Sequence, residues 1–212
     1  MKPFKSHRGL IAPLDRANVD TDQIIAKQFL KSIARTGFGP QLFYDWRYST
    51  DGKLNPKFSL NLPRYKNASI LVTRNNFGCG SSREHAVWAI IQYGFEAVIA
   101  PWKMNQGSRV PAFADIFRNN SFKNSLLTIE LSEPEVDKIF EMVERLPGLE
   151  ATVNVDEERL VLHTAEEISF HFELDPAVKE RLIHGLDDIG ITLKEEANLK
   201  TFEAKNHAQM KW

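Results

Sequence analysis

Cysteine is almost missing from this chain: among 212 residues there is one, Cys79. A single thiol excludes an internal disulfide framework and fits a reducing compartment. It also excludes an iron–sulfur cluster held by this chain alone, since such clusters draw on three or four thiolates. Long apolar runs are missing too, and none approaches the ~20 residues of a membrane-spanning helix. The opening stretch MKPFKSHRGLIAPLDR carries charges and proline in place of an apolar signal core, so a cytoplasmic location is expected. A surplus of one charge sign is also lacking. Lys and Arg number 27 against 28 Asp and Glu, which removes any global attraction to nucleic acid or to an anionic membrane. Neither is expected as a partner.

What the chain does have is an ordinary globular balance, 42% apolar and 26% charged, in a length that can bury a core without staples. No internal repeat or low-complexity linker divides it. SILVTRNNF (Ser69–Phe77) is β-branched, apolar and bounded by Gly78, and reads as a strand. Ser82 to about Tyr93 reads as a helix, with Ala86, Val87, Ile90 and Ile91 on one face and Gly94 as its stop. FEAVIAP (Phe95–Pro101) reads as a second buried strand. Strand, turn, helix and strand form a βαβ unit, expected to be parallel with a right-handed crossover.

Further along, VPAFADIFRNN (Val110–Asn120) is expected to be helical and SLLTIEL (Ser125–Leu131) a strand. Ser132 and Glu135 have capping-box spacing before the helix PEVDKIFEMVERL. A hairpin is expected over Glu150–His163, then a strand ISFHFEL, then a helix opened by Asp175-Pro176. The aromatic stretch Arg35–Phe58 is too irregular for a helix and too aromatic for a disordered linker, so it reads as an ordered excursion. The chain is therefore expected to be α/β with mixed parallel and antiparallel pairing in one domain. A charged helix or tail follows from about residue 195.

The turn between strand and helix, NNFGCGSSREHAVW (Asn75–Trp88), is the most informative stretch. Gly78 and Gly80 admit positive φ and close approach of a ligand. The helix start beyond them offers unpaired N–H groups and the positive end of the dipole, a ready anion site. Arg83 can grip a carboxylate with two hydrogen bonds. Three familiar patterns fail here. No Lys-Ser/Thr follows the glycines as in a P-loop. Arg83 stands where a dinucleotide fingerprint needs its third glycine. The G-x-S-x-G elbow of a serine hydrolase is absent. A small carboxylate or phosphate remains, held by backbone amides, Ser81, Ser82 and Arg83.

Ser81-x-x-Glu84 also has capping-box spacing, a purely structural role contributing about 1 kcal/mol. The two roles are compatible. N–H groups donating to the Ser81 oxygen would stabilise it as an alkoxide, which would let it move a proton. Cys79 is expected as a small packing residue rather than a ligand or reactive thiol. His85, one helical turn from Ser81, is expected to make a structural hydrogen bond, the alternative being to polarise Ser81. Asp15, Asp20 and Asp22 lack the spacing of a calcium loop and read as turn and capping acids. Trp88 and Trp102 are expected in the core. Tyr44, Trp46 and Tyr48 fit either loop packing or a protein interface. His163, His171, His184 and His207 lack trustworthy metal-ligand spacing.

GCGSSREHA (Gly78–Ala86) resembles the signature of the aconitase-type swivel domain. DRANVDTDQIIAKQFL (Asp15–Leu30), RTGFGPQLFYDWRY (Arg35–Tyr48) and HGLDDIGITL (His184–Leu193) extend the likeness over nearly the whole chain. They make it similar to the separate small subunits of bacterial 3-isopropylmalate dehydratase. The resemblance implies a swivelling β/β/α domain spanning residues 1–212. It implies a large-subunit partner that carries a four-iron, four-sulfur cluster, with none in this chain. It also implies interconversion of 2- and 3-isopropylmalate, small dicarboxylates, in leucine biosynthesis. Ser81 would be the base that removes the carbon-bound proton, and Arg83 would hold a substrate carboxylate. Ser82, Gly80 and nearby amides would complete the cradle. A substrate-selecting loop would fall at about residues 29–32, where Phe29 and Leu30 could meet an isopropyl group, core packing being their other reading. Related substrates such as dimethylmalate or homoaconitate belong to the same class. An inert anion-binding module is the alternative from another class, and a serine hydrolase a distant third.

Overall fold

The computed structural model describes residues 2–31, 34–194 and 196–206. Strand β1 (Ser6–Leu14) pairs in two ways along its length. Its first half, Ser6–Leu10, runs antiparallel to β6 (Glu150–Asn154). Its second half, Ile11–Leu14, runs parallel to β2 (Ile70–Thr73). From β2 the parallel set continues through β3 (Ala97–Asn105) to β5 (Leu127–Ser132). From β6 an antiparallel set continues through β7 (Arg159–Leu162) to β8 (Ile168–His171). The mixed sheet expected from the sequence is therefore present, and β1 is the strand where its two halves meet.

Composition explains the split. All four residues of β2 and the first five of β3 are buried, as parallel strands covered on both faces require. In β6, buried residues alternate with half-buried ones, and β7 repeats the pattern after an exposed start, the signature of antiparallel strands with one face toward solvent. Helix α5 (Glu133–Arg145) packs across β1, β2, β3 and β5. Its capping box is present: Glu135 accepts from the Ser132 backbone N–H at 2.8 Å. Asp175 caps α6 (Pro176–His184), accepting from the N–H groups of Ala177 and Val178. Two further helices follow, α7 (Asp188–Lys194) and α8 (Glu196–Asn206).

The βαβ unit forms as expected, β2 and β3 being parallel and joined by α3 (Glu84–Tyr93), which ends at Gly94. Several boundaries move, β2 for one ending at Thr73 rather than Phe77. Helix α3 begins at Glu84 rather than Ser82. Strand β3 runs to Asn105 because its end folds back as a hairpin onto β4 (Ser108–Val110). Gln106 and Gly107 both have positive φ, as a two-residue hairpin loop needs. That pairing takes Val110 out of the expected helix, so α4 covers Asp115–Lys123. Trp102 is not in the core: it is half-exposed, with the Arg109 guanidinium 4.8 Å over its ring. Trp88 is half-buried against the core and donates from Nε1 to Asn124.

The aromatic excursion is ordered by its own packing. It holds α2 (Tyr44–Arg47) and buries Phe38, Leu42, Phe43 and Phe58. The nearly buried Arg47 donates to the Asn61 side chain and the Pro40 carbonyl. Trp46 stacks on Phe43 and lies beneath the Arg16 guanidinium, and Tyr44 meets Tyr48 at 4.7 Å. No helix among the described residues is long and apolar enough to cross a membrane.

Candidate active site

Three stretches of chain converge where β2 ends. Phe77, fully buried, bridges to Phe113: its N–H donates to the Ala112 carbonyl and its carbonyl accepts from Ala114. One residue on, the Gly78 N–H donates to the Val19 carbonyl at 2.8 Å, and the Cys79 carbonyl accepts from Thr21 at 2.9 Å. The Thr21 hydroxyl then donates to the Ser81 carbonyl at 2.8 Å. The glycine turn is thus laced to the segment before α1 (Thr21–Ile24) on one side and to the approach to α4 on the other.

Gly78 and Gly80 have φ of +75° and +89°, the left-handed region that side chains with a Cβ avoid. Space matters as well at Gly78. A Cβ there would lie 2.2 Å from Cγ of Phe117 in α4. Close packing of α4 on the turn therefore depends on the missing side chain. The same helix, through Ala114–Phe117, walls a cavity of about 240 Å³ whose other lining is Thr21, Gly78, Gly80, Ser81, Ser82 and Arg83.

Of the site residues expected from the sequence, the fold brings Gly80, Ser81, Ser82 and Arg83 into this one cavity. Phe29 and Leu30 are not among its lining residues. They lie half-buried on a 3-10 turn at Lys27–Lys31, with the Phe29 ring edge-on to Tyr44 at 5.0 Å. Ser32, the last residue of the expected selecting loop, lies outside the described residues, as does His207.

The Ser81 capping box does not form. The N-cap is Arg83, in extended conformation and without a side-chain cap. Glu84 stands at the first helical position, not the third, and its carboxylate accepts from Asn124 at 3.1 Å. Both serines are exposed to the cavity. The first turn of α3 therefore has no side-chain cap, and of its N–H groups that of Ala86 donates to the Arg83 carbonyl at 3.2 Å.

Arg83 is held from behind. Its guanidinium, only 15% exposed, forms an ion pair with Asp22 of α1, which also meets Lys27 at 3.5 Å. Asp22 is thus more than a turn acid, and the partnership spans too many residues to read from local spacing. Asp20 does cap α1, in a capping box with Gln23, while Asp15 pairs with Arg74. His85 takes neither expected role: its ring packs edge-on against Phe38 at 5.2 Å and against Trp88 at 4.8 Å. The Cys79 thiol is pushed above its ordinary pKa, first by burial and then by the nearby Asp20 carboxylate. That is the opposite of the depressed pKa a metal-ligating or nucleophilic thiol needs. His163 bonds to Thr152, and among the described residues no group of three or more His, Cys, Asp or Glu is placed to hold a metal.

Comparison with known proteins fits this geometry. The family model of the aconitase C-terminal domain matches residues 1–134. A curated protein of Desulforapulum autotrophicum, named 3-isopropylmalate dehydratase small subunit, is 56% identical over 210 residues, covering 99% of this chain and 98% of that one. Among solved structures, the 3-isopropylmalate dehydratase LeuD of Methanocaldococcus jannaschii matches with a TM-score of 0.62 and 22% identity, over 92% of this chain and 98% of its own. At that identity the structure speaks for the fold. The near full-length likeness to the Desulforapulum protein goes further: the chain belongs to the 3-isopropylmalate dehydratase small subunits, within the aconitase C-terminal domain family.

Proposed function

We propose that this chain is the small subunit of a 3-isopropylmalate dehydratase, a hydro-lyase that interconverts 2- and 3-isopropylmalate by loss and return of water in leucine biosynthesis. The observation that carries the reading is 56% identity over nearly the whole of a small subunit so named. In this reading the carboxylate next to the reacting carbon lies on Arg83. Asp22 fixes one edge of that guanidinium, leaving the other for a two-point grip. As the carbon-bound proton leaves, negative charge grows on this carboxylate, and Arg83 with the uncapped start of α3 stabilises it.

The proton goes to Ser81 Oγ. A serine hydroxyl has a high intrinsic pKa, so it can serve as base only where negative oxygen is favoured. The helix end and Arg83 supply that environment. The water that is lost needs a Lewis acid, which the resemblance assigns to an iron–sulfur cluster. The donor set of this chain does not suit such a cluster: it has one cysteine, whose pKa is raised rather than lowered. We place the cluster on the large subunit, and this chain's part is to bind, orient and deprotonate.

The test is reconstitution with a cluster-loaded large subunit, comparing 2-isopropylmalate with dimethylmalate and homoaconitate. Turnover of isopropylmalate only on mixing is expected. Faster turnover of another malate would reassign the substrate, and turnover by this chain alone would overturn the division of labour.

A further inference from the structure

A second cavity, about 670 Å³ in volume, lies further along α4 and is lined by none of the residues of the serine cavity. Arg118, Asn119 and Phe122 of α4 form one wall, and Thr128 and Glu130 of β5 another. The segment Glu173–Asp175 and Val178 of α6 complete it, with Arg109 at the end of β4. The volume is within the range of small-molecule sites.

Two buried donors on residues that line this cavity lack acceptors within the protein. Thr128 is 3% exposed, and its hydroxyl has no hydrogen-bond partner. The buried Nε of Arg118 has none either. Native folds seldom leave such groups unpaired, so each one asks for a ligand or an ordered water. A carboxylate oxygen can accept from both. Charge at the rim constrains the ligand further. Glu130, Glu173 and Asp175 outnumber Arg109 and Arg118, and Arg109 is already engaged by Glu130 at 3.2 Å and approached by Glu173 at 3.9 Å. A bare anion would enter against a surplus of negative charge, whereas a molecule carrying an ammonium as well would not. Phe122, Leu174 and Val178 offer an apolar wall to the rest of it.

We propose that this cavity binds an aliphatic α-amino acid. Its carboxylate rests on the Thr128 hydroxyl and Arg118 Nε, its ammonium faces Glu173, and its side chain lies against Phe122, Leu174 and Val178.

The test is an NMR titration of the ¹⁵N-labelled full chain with leucine, 4-methylpentanoate (no ammonium) and 3-methylbutylamine (no carboxylate). Saturable shifts at Arg118, Thr128 and Val178 are expected with leucine. Each half-molecule should bind at least about tenfold more weakly, the loss of one charge-assisted contact. Thr128→Val, which keeps the shape and removes the hydroxyl, should weaken leucine by at least about tenfold while leaving the melting temperature unchanged or higher. Arg118→Lys, which keeps the charge and removes Nε, provides the same readout should the first variant fold poorly. Absence of saturable shifts overturns the proposal. So does equal binding of 4-methylpentanoate, which would make the site one for simple carboxylates. A lower melting temperature in Thr128→Val would show that the hydroxyl is already partnered within the fold, and that too overturns it.

Discussion

Gly78→Ala and Gly80→Ala separate two reasons for glycine at neighbouring positions. Both have positive φ, and an alanine held there costs about 1–2 kcal/mol in backbone strain. At Gly80 the added Cβ would sit 3.4 Å from the Asp20 Cβ, an ordinary contact, so strain is the whole cost. At Gly78 it would sit 2.2 Å from Phe117 Cγ. Phe117 cannot swing away cheaply, because its ring is 3% exposed and packs against Phe77 and Phe113. Overpacking of this kind adds about 1–3 kcal/mol, for a total of about 2–5 kcal/mol. In a chain of this size each kcal/mol moves Tm by about 2–4 °C. Gly78→Ala should therefore melt roughly 4–20 °C lower, and Gly80→Ala roughly 2–8 °C lower. Thermal unfolding followed by circular dichroism measures both. A Gly78→Ala protein as stable as Gly80→Ala would refute the close approach of α4 to the turn.

Ser81→Ala should leave stability within about 0.5 kcal/mol, as expected for an exposed residue that caps nothing, yet abolish turnover with the large subunit; near-normal turnover would remove Ser81 from the proton transfer. Arg83→Lys should raise KM for isopropylmalate, because a point charge cannot replace the two-point grip, and an unchanged KM would contradict its substrate contact. Asp22→Asn should also raise KM, with kcat measured beside it to show whether a loosened guanidinium also costs orientation. Burial, the largest influence, lowers the His7 pKa from its ordinary value of 6.5. Below that value the unfolded chain takes up a proton the folded chain resists, so stability should fall as pH drops through about 6.5 toward the lowered pKa. Urea titrations across this range check the sign, and a His7→Gln protein should show a shallower slope.

Local patterns were legible where their consequences stay local. Ser132 and Glu135 form their capping box because the third helical position follows directly from the first. Ser81 and Glu84 have the same spacing and do not, because Asn124, forty residues on, takes the Glu84 carboxylate and the helix starts late. The parallel β2–α3–β3 unit could be read from two apolar runs around an amphipathic helix. The serine pair and Arg83 could be read from the glycine turn and the family resemblance, and they do share a cavity. What no window of sequence contains is the reverse side of that cavity. Asp22 reaches Arg83 across some sixty residues, and α4, which starts only after the β3–β4 hairpin, brings Phe117 against Gly78. Helical spacing suggests His85 one turn from Ser81, but α3 starts only at Glu84 and the His85 ring packs on Phe38, from the aromatic excursion.

The two-way pairing of β1 sets a rule for anyone joining a second polypeptide to this one. The Phe4 N–H is tied to the Leu182 carbonyl at the end of α6, and β1 then runs nine residues before reaching the level of Thr73, where the glycine turn departs. At about 3.3 Å per residue that is roughly 30 Å of strand. A fusion attached ahead of Phe4 enters at the end of the molecule remote from the serines, so its linker must first travel back along the whole strand. At full stretch that journey takes about nine residues, and a flexible Gly/Ser tether needs roughly three times as many before its average span matches.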